Sequence, residues 1–143
     1  MKSYQITEFC HRFIEDHVHP GDVCVDATAG NGNDTAFLCR LVGDGGKVYA
    51  FDIQKEALLH TEEKLRKENL QAKLVLDGHE NMEAYVAEKG EVACIVFNFG
   101  YLPGGDHRVA TCAKTSVTAI KAGLKLLRKG GLMSLCIYSG GDT

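Results

Sequence analysis

Apolar positions recur at helical spacing in Ile6, Phe9, Cys10, Phe13 and Ile14, and His19-Pro20-Gly21-Asp22 then supplies residues that end a helix and turn the chain. Val23 to Ala27 is short, apolar and β-branched, which predicts a strand. It runs into Thr28-Ala29-Gly30-Asn31-Gly32-Asn33-Asp34-Thr35 and then the apolar Ala36, Phe37, Leu38 and Leu41 of a helix. A second apolar strand is predicted from Val48 to Ile53, followed by a helix over Gln54 to Asn69 that carries Ala57, Leu58, Thr61 and Leu65 on one stripe. The alternation continues with a strand from Lys73 to Leu76, a helix from His79 to Glu88 and a strand from Val92 to Phe97. A longer interruption at Asn98 to Asp106 precedes a helix with Ala113, Val117, Ile120, Leu124 and Leu127 at helical intervals. Lys129-Gly130-Gly131 closes that helix before a last strand from Leu132 to Tyr138.

Five near-continuous apolar strands separated by helices predict an α/β, Rossmann-like domain: a parallel sheet with helices on both faces, where right-handed crossovers place them. The ligand crevice of such a sheet lies outside the carboxyl ends of its strands. The polar clusters follow strand ends: Asp26 to Asn33, Asp52, Asp77 to His79, and Asn98 to His107. No linker, repeat or low-complexity segment interrupts the 143 residues, which read as a single domain.

Composition narrows this little. With 45% hydrophobic and 24% charged residues the chain is ordinary for a globular domain. Its net charge of -3 gives no global attraction to nucleic acid, so RNA contact would be local. Arg108 and the basic stretch Lys114, Lys121, Lys125, Arg128 and Lys129 are candidates, although a solvated helix face explains that stretch as well. The six cysteines form no Cys-x-x-Cys pair and read as reduced, buried thiols; no metal site is expected. The longest apolar runs are too short to span a bilayer and Met1 to Thr7 has no signal-peptide pattern, so a cytoplasmic protein without membrane contact is expected.

Gly30 and Gly32 let the backbone approach a ligand at a helix start, where amide groups and the dipole favour an anionic group. A tight structural turn is the plainer reading. A dinucleotide loop would carry a third glycine near Thr35, whereas the acidic Asp26 repels a phosphate and suits an ammonium, so the zwitterionic end of a methionine-derived ligand fits better. Asp52, about 20 residues past the loop, is placed to accept both hydroxyls of a ribose, or to cap the next helix. Asp77 and Gly78 would receive an adenine, with His79 beside it or simply starting the next helix. The expected cofactor site is thus Asp26, Ala27, Gly30, Asn31, Gly32, Asn33, Asp52, Gln54, Asp77, Gly78 and His79, and the cofactor S-adenosylmethionine. In Asn98-Phe99-Gly100-Tyr101-Leu102-Pro103-Gly104-Gly105-Asp106-His107, Asn98 can accept from an amine, Tyr101 can stack on a base, and Asp106 or His107 can take a proton; a structured turn with Tyr101 filling core space competes with this.

The segments Asp26 to Thr35, Asp52, Asp77-Gly78-His79 and Asn98 to His107, in this order, resemble the bacterial YtqB/MnmM family, long labelled rRNA methylases. The resemblance covers essentially the whole chain and implies a Rossmann-like class I fold, with a parallel sheet of order 3-2-1-4-5, that uses S-adenosylmethionine. It further implies methylation of the aminomethyl group at the wobble 2-thiouridine of certain tRNAs, which makes the rRNA label a misnomer. Asn98-Phe99-Gly100-Tyr101 resembles the Asn/Asp-Pro-Pro-Tyr signature of amino-group methyltransferases, with Phe99 and Gly100 in place of the prolines. Class I methyltransferases usually end in a sixth strand and an antiparallel seventh, so the chain, stopping at Thr143, is expected to be truncated at its carboxyl end.

The implied reaction is an in-line displacement: a neutral amine attacks the sulfonium methyl, the carbon–sulfur bond breaks, and S-adenosylhomocysteine and a secondary ammonium result. Alignment in a desolvated pocket supplies most of the acceleration, on the order of 7 to 11 kcal/mol for well-oriented groups. Asp106 or His107 is expected to deprotonate the amine. An NAD-dependent oxidoreductase would share the sheet and Asp52 but lacks support from the loop; methylation of rRNA, a non-catalytic module binding cofactor or tRNA, and a homodimer stay open.

Overall fold

The computed structural model describes the backbone of residues 3–100 and 106–138 and the side chains of residues 7–99 and 114–136. In chain order these form α1 (Ser3–His17), β1 (Val23–Asp26), α2 (Asn33–Val42), β2 (Lys47–Asp52), α3 (Lys55–Lys67), β3 (Lys73–Leu76), a short 3-10 helix (His79–Ala84), β4 (Val92–Gly100), α4 (Asp106–Leu126) and β5 (Leu127–Tyr138). The strands build one sheet of order β3-β2-β1-β4-β5. Every neighbouring pair is parallel, as the apolar runs predicted.

Strand alternation divides the core into two layers. Cys24, Val48, Cys94 and Val96 face one side and pack with Ile14 and Val18, with Ala36 and Leu38 of α2, and with Leu65 of α3. Val25, Tyr49, Phe51, Ile95 and Phe97 face the other and meet Met82, Val86 and the α4 residues Ala119, Ala122 and Leu126. The chain crosses to one face for β1 to β3 and to the other for β4 to β5, so the direction of winding reverses between β1 and β4. The crevice above that switch point is where open α/β sheets take ligands.

Three boundaries depart from the sequence reading. The helix expected over His79 to Glu88 is only a 3-10 turn, His79–Ala84. Asp77 accepts from the Gly78 amide at 2.7 Å and from Asn81 Nδ2 at 2.9 Å, and Asn81 N bonds back to Gly78 O, tightening the turn to an i to i+3 pattern. Strand β4 does not stop at Phe97: Asn98, Phe99 and Gly100 continue the ladder opposite Cys136, Ile137 and Tyr138. Finally, the turn expected at Lys129-Gly130-Gly131 lies within β5 as a bulge. Val92 pairs with Leu127 and Cys94 with Leu132, and the residues between loop out around Gly130 at φ +81°. Arg128 from this bulge ties to Asp22 at 3.1 Å and to the carbonyl of His17. Among the described residues no helix is long and apolar enough to cross a membrane.

Candidate functional site

The glycine loop leaves β1 by handing its amides to both neighbouring strands: Ala27 N bonds to Val96 O of β4 and Ala29 N to Phe51 O of β2. Gly30 and Gly32 then adopt left-handed φ values of +55° and +88°, a conformation that costs glycine nothing. Asn31 Oδ1 accepts from Asn33 N and Gly32 caps the start of α2. Thr61 of α3, fully buried, donates to Ala57 O at 2.9 Å and lies 3.3 Å from Gly30 O, so the loop is supported from below.

Asp52 ends β2 with both oxygens engaged, Oδ2 accepting from Gly30 N at 3.0 Å and Oδ1 from Gln54 N at 2.9 Å. Each oxygen keeps a lone pair, so the carboxylate is aimed beside the loop and able to accept two hydroxyls. Gln54 and Asn31 are exposed next to it.

Asp26, expected to meet a ligand's ammonium, is fully buried. Its Oδ1 accepts from Thr28 N at 3.1 Å and its Oδ2 from Thr35 Oγ1 at 2.6 Å, so among the described residues it braces the loop rather than opening onto the crevice. Burial, and then the neighbouring Asp34 carboxylate, push its carboxyl up to about 7. Asp26, Asp34 and Asp52 thus surround the loop with acidic groups, an environment that favours a cation over a phosphate.

On the other face of the sheet, Asp77 accepts from Gly78 N, Asn81 Nδ2 and, at 2.6 Å, Tyr85 Oη; these bonds, the tyrosine's foremost, hold its carboxyl below the ordinary range. The space expected to be open over Gly78 is filled by Glu80, whose Oε1 would clash with an added Cβ and is itself buried without a partner among the described residues. A ring entering there must displace this flexible side chain. His79 sits edge-on to the stacked rings of Phe97 and Phe99, at 5.6 and 5.8 Å. Its Nδ1 lies 3.2 Å from Ala27 O; a carbonyl only accepts, so Nδ1 carries the hydrogen and Nε2 is left as an acceptor. Burial lowers the His79 pKa and keeps the ring neutral.

Asn98 stands on the opposite face of β4 from Phe97 and Phe99. Its amide N receives support from the strand-end loop by donating to Thr28 Oγ1 at 2.7 Å, and its Nδ2 donates to Asp34 Oδ2. Asp34 also accepts from His11 Nε2 at 2.6 Å, and the His11 ring lies flat on Phe37 at 3.7 Å. The sequence pattern singles out neither Asp34 nor His11. The spacing of Asp34, two residues past Gly32, carries a usable signal; the contact of His11, on a helix far away in sequence, carries none. Tyr101 lies outside the described residues, and Asp106 and His107 begin α4 with side chains outside them. No group of histidine, cysteine or carboxylate side chains suited to a metal occurs among the described residues.

Comparison with known proteins bears out the resemblance. A curated tRNA (mnm(5)s(2)U34)-methyltransferase from the chloroplast of Arabidopsis thaliana is 41% identical over 94% of this chain, which spans 53% of that relative's length. A Clostridium thermocellum crystal structure described as an rRNA-methylase has 45% identity and a TM-score of 0.84, covering 96% of this chain and 74% of its own. A Streptococcus mutans protein crystallised in complex with SAH has 42% identity and a TM-score of 0.80, covering 95% and 74%. The family model described as "Putative rRNA methylase" matches residues 48–143. With this sheet order, these strand-end carboxylates and these matches, the chain belongs to that family.

Proposed function

We propose that this protein is an S-adenosylmethionine-dependent methyltransferase acting on the aminomethyl group of wobble 5-aminomethyl-2-thiouridine in tRNA. The observation that carries the substrate reading is the 41% identity, over nearly the whole chain, to a plant methyltransferase of that name. The cofactor reading rests on the SAH-bound relative and on the crevice itself, where a carboxylate aimed for hydroxyls lies beside a glycine loop ringed by acidic groups that suit a sulfonium and an ammonium.

The bound cofactor supplies an activated methyl group. In the proposed arrangement Asp52 accepts from the ribose, the loop from Gly30 to Asn33 follows the amino-acid end, and His79 with the displaced Glu80 lies at the base. Asn98 Oδ1 accepts from the substrate amine and directs its lone pair. Tyr101 covers the nucleobase, and Asp106 or His107 takes the amine's proton. The exposed Lys114 and Lys121 offer a local attraction for the anticodon stem, whereas Arg128 is tied to Asp22 and Lys125 approaches Glu83 at 3.9 Å.

Protein incubated with S-adenosylmethionine and tRNA carrying the aminomethyl nucleoside should yield the methylaminomethyl nucleoside on digestion and mass analysis. No product from that tRNA, with methyl transfer to rRNA instead, would favour the second reading that the family's description carries. Calorimetric binding of NAD in preference to S-adenosylmethionine would end both.

A further inference from the structure

We propose that Asp34 and His11 are positioning residues that fix which end of the Asn98 amide faces the substrate. This rests on the methyl-transfer reading above. The three side chains come from α1, α2 and β4 and meet at one carboxylate: His11 Nε2 lies 2.6 Å from Asp34 Oδ1, and Asn98 Nδ2 donates to Asp34 Oδ2. The group is sheltered, with the side chains of His11 and Asp34 23% and 13% exposed.

A carboxylate only accepts, so both atoms facing it must be donors. The amide of Asn98 is therefore held with its NH2 toward Asp34 and its Oδ1 turned away; among the described residues no donor reaches Oδ1. The two ends of an amide have nearly the same shape, and packing alone does not choose between them. Were the amide reversed, an NH2 would face the attacking amine and the bond that directs its lone pair would be lost. Asp34 is held in turn by His11, whose ring is pinned by parallel stacking on the buried Phe37. The N-terminal helix thereby reaches the reacting end of the crevice.

The test is an exchange of the two groups. Asp34→Asn can offer its own NH2 and reverse the amide, and Asn98→Asp sets two carboxylates face to face. Each single variant should lose roughly ten- to hundred-fold in kcat, the size expected for a lost hydrogen bond to a charged group. In the double variant the amide introduced at position 34 donates through its NH2 to the carboxylate introduced at position 98, while its oxygen accepts from His11, so kcat should recover to within about tenfold of the parent. Losses that multiply in the double variant, or full activity in Asp34→Asn, overturn the proposal. His11→Phe keeps the stacking, removes the donor and should lower kcat by several-fold. A parent protein that methylates no tRNA refutes the functional reading instead. The positioning is then read by NMR, where the Asn98 side-chain NH2 should be protected and lose protection in Asp34→Ala; a solvent-like NH2 in the parent overturns it.

Discussion

A methyl group added at Gly32 would lie 2.9 Å from the Cα of Thr61, so the glycine loop and α3 meet backbone to backbone. Gly32 also holds φ +88°, which an L side chain adopts at a cost. Gly32→Ala should therefore reduce stability by about 2 kcal/mol or more, since strain and clash act together. Gly30→Ala, whose added carbon meets only Thr28 O at 3.8 Å, should cost about 1 kcal/mol. Urea midpoints of the two variants check this; equal midpoints would show that α3 yields freely.

Asp26 gives a pH signature. Its carboxyl titrates at about 7 when folded against an ordinary value of 3.8, so between those values the folded protein holds a proton that the unfolded chain has released. The stability this contributes is fully present below that window and is lost as pH rises through it. Asp26→Asn should flatten the slope of the urea midpoint between about pH 4 and pH 7. Under the proposed function a cationic ligand favours the ionised form, so affinity for S-adenosylmethionine should rise with pH through about 7 and binding should release a proton to the buffer. His79, its pKa lowered by burial from an ordinary 6.5, makes the protein lose stability as pH falls, the opposite slope to that of Asp26. Affinity independent of pH would remove the role of Asp26.

Asp52 can be tested by its geometry. Asp52→Asn keeps the shape but turns an NH2 toward the amide of Gly30 or Gln54, both of which need an acceptor. Calorimetry should show affinity for S-adenosylmethionine reduced by roughly ten- to hundred-fold, with a smaller change in thermal stability. Unchanged affinity would mean that the ribose lies elsewhere.

The buried thiols should resist alkylation. Burial pushes Cys24 up to about 12 and Cys39 to about 11, and raises Cys94 further. Iodoacetamide at about pH 8 should leave these three unmodified in the native protein and label them in urea, as peptide mapping would show. Native labelling of Cys94 would show that the sheet opens between β1 and β4.

The parallel strands and the helices on both faces were legible because apolar runs and turn residues report local geometry, the strand order followed from the family resemblance, and the strand ends then placed Asp26, Asp52, Asp77 and Asn98 along one edge. What escaped the sequence depends on contacts between distant segments. The burial of Asp26 under Thr35, the filling of the Gly78 space by Glu80 and the meeting of His11 with Asp34 are set by packing, which periodicity does not encode. The end of β4 was misplaced for a related reason: Asn98 and Gly100 look like loop residues, yet pairing with β5 keeps them in the ladder.

That continuation of β4 ties chemistry to parity. Along the strand Phe97 and Phe99 point to one side and Asn98 to the other, so a slip of a single residue against β1 and β5 would present a phenyl ring where an amide stands and an amide where His79 meets its rings. Insertions near residue 93 should thus abolish turnover, whereas the same insertion beyond Gly100 leaves the facing of these side chains intact.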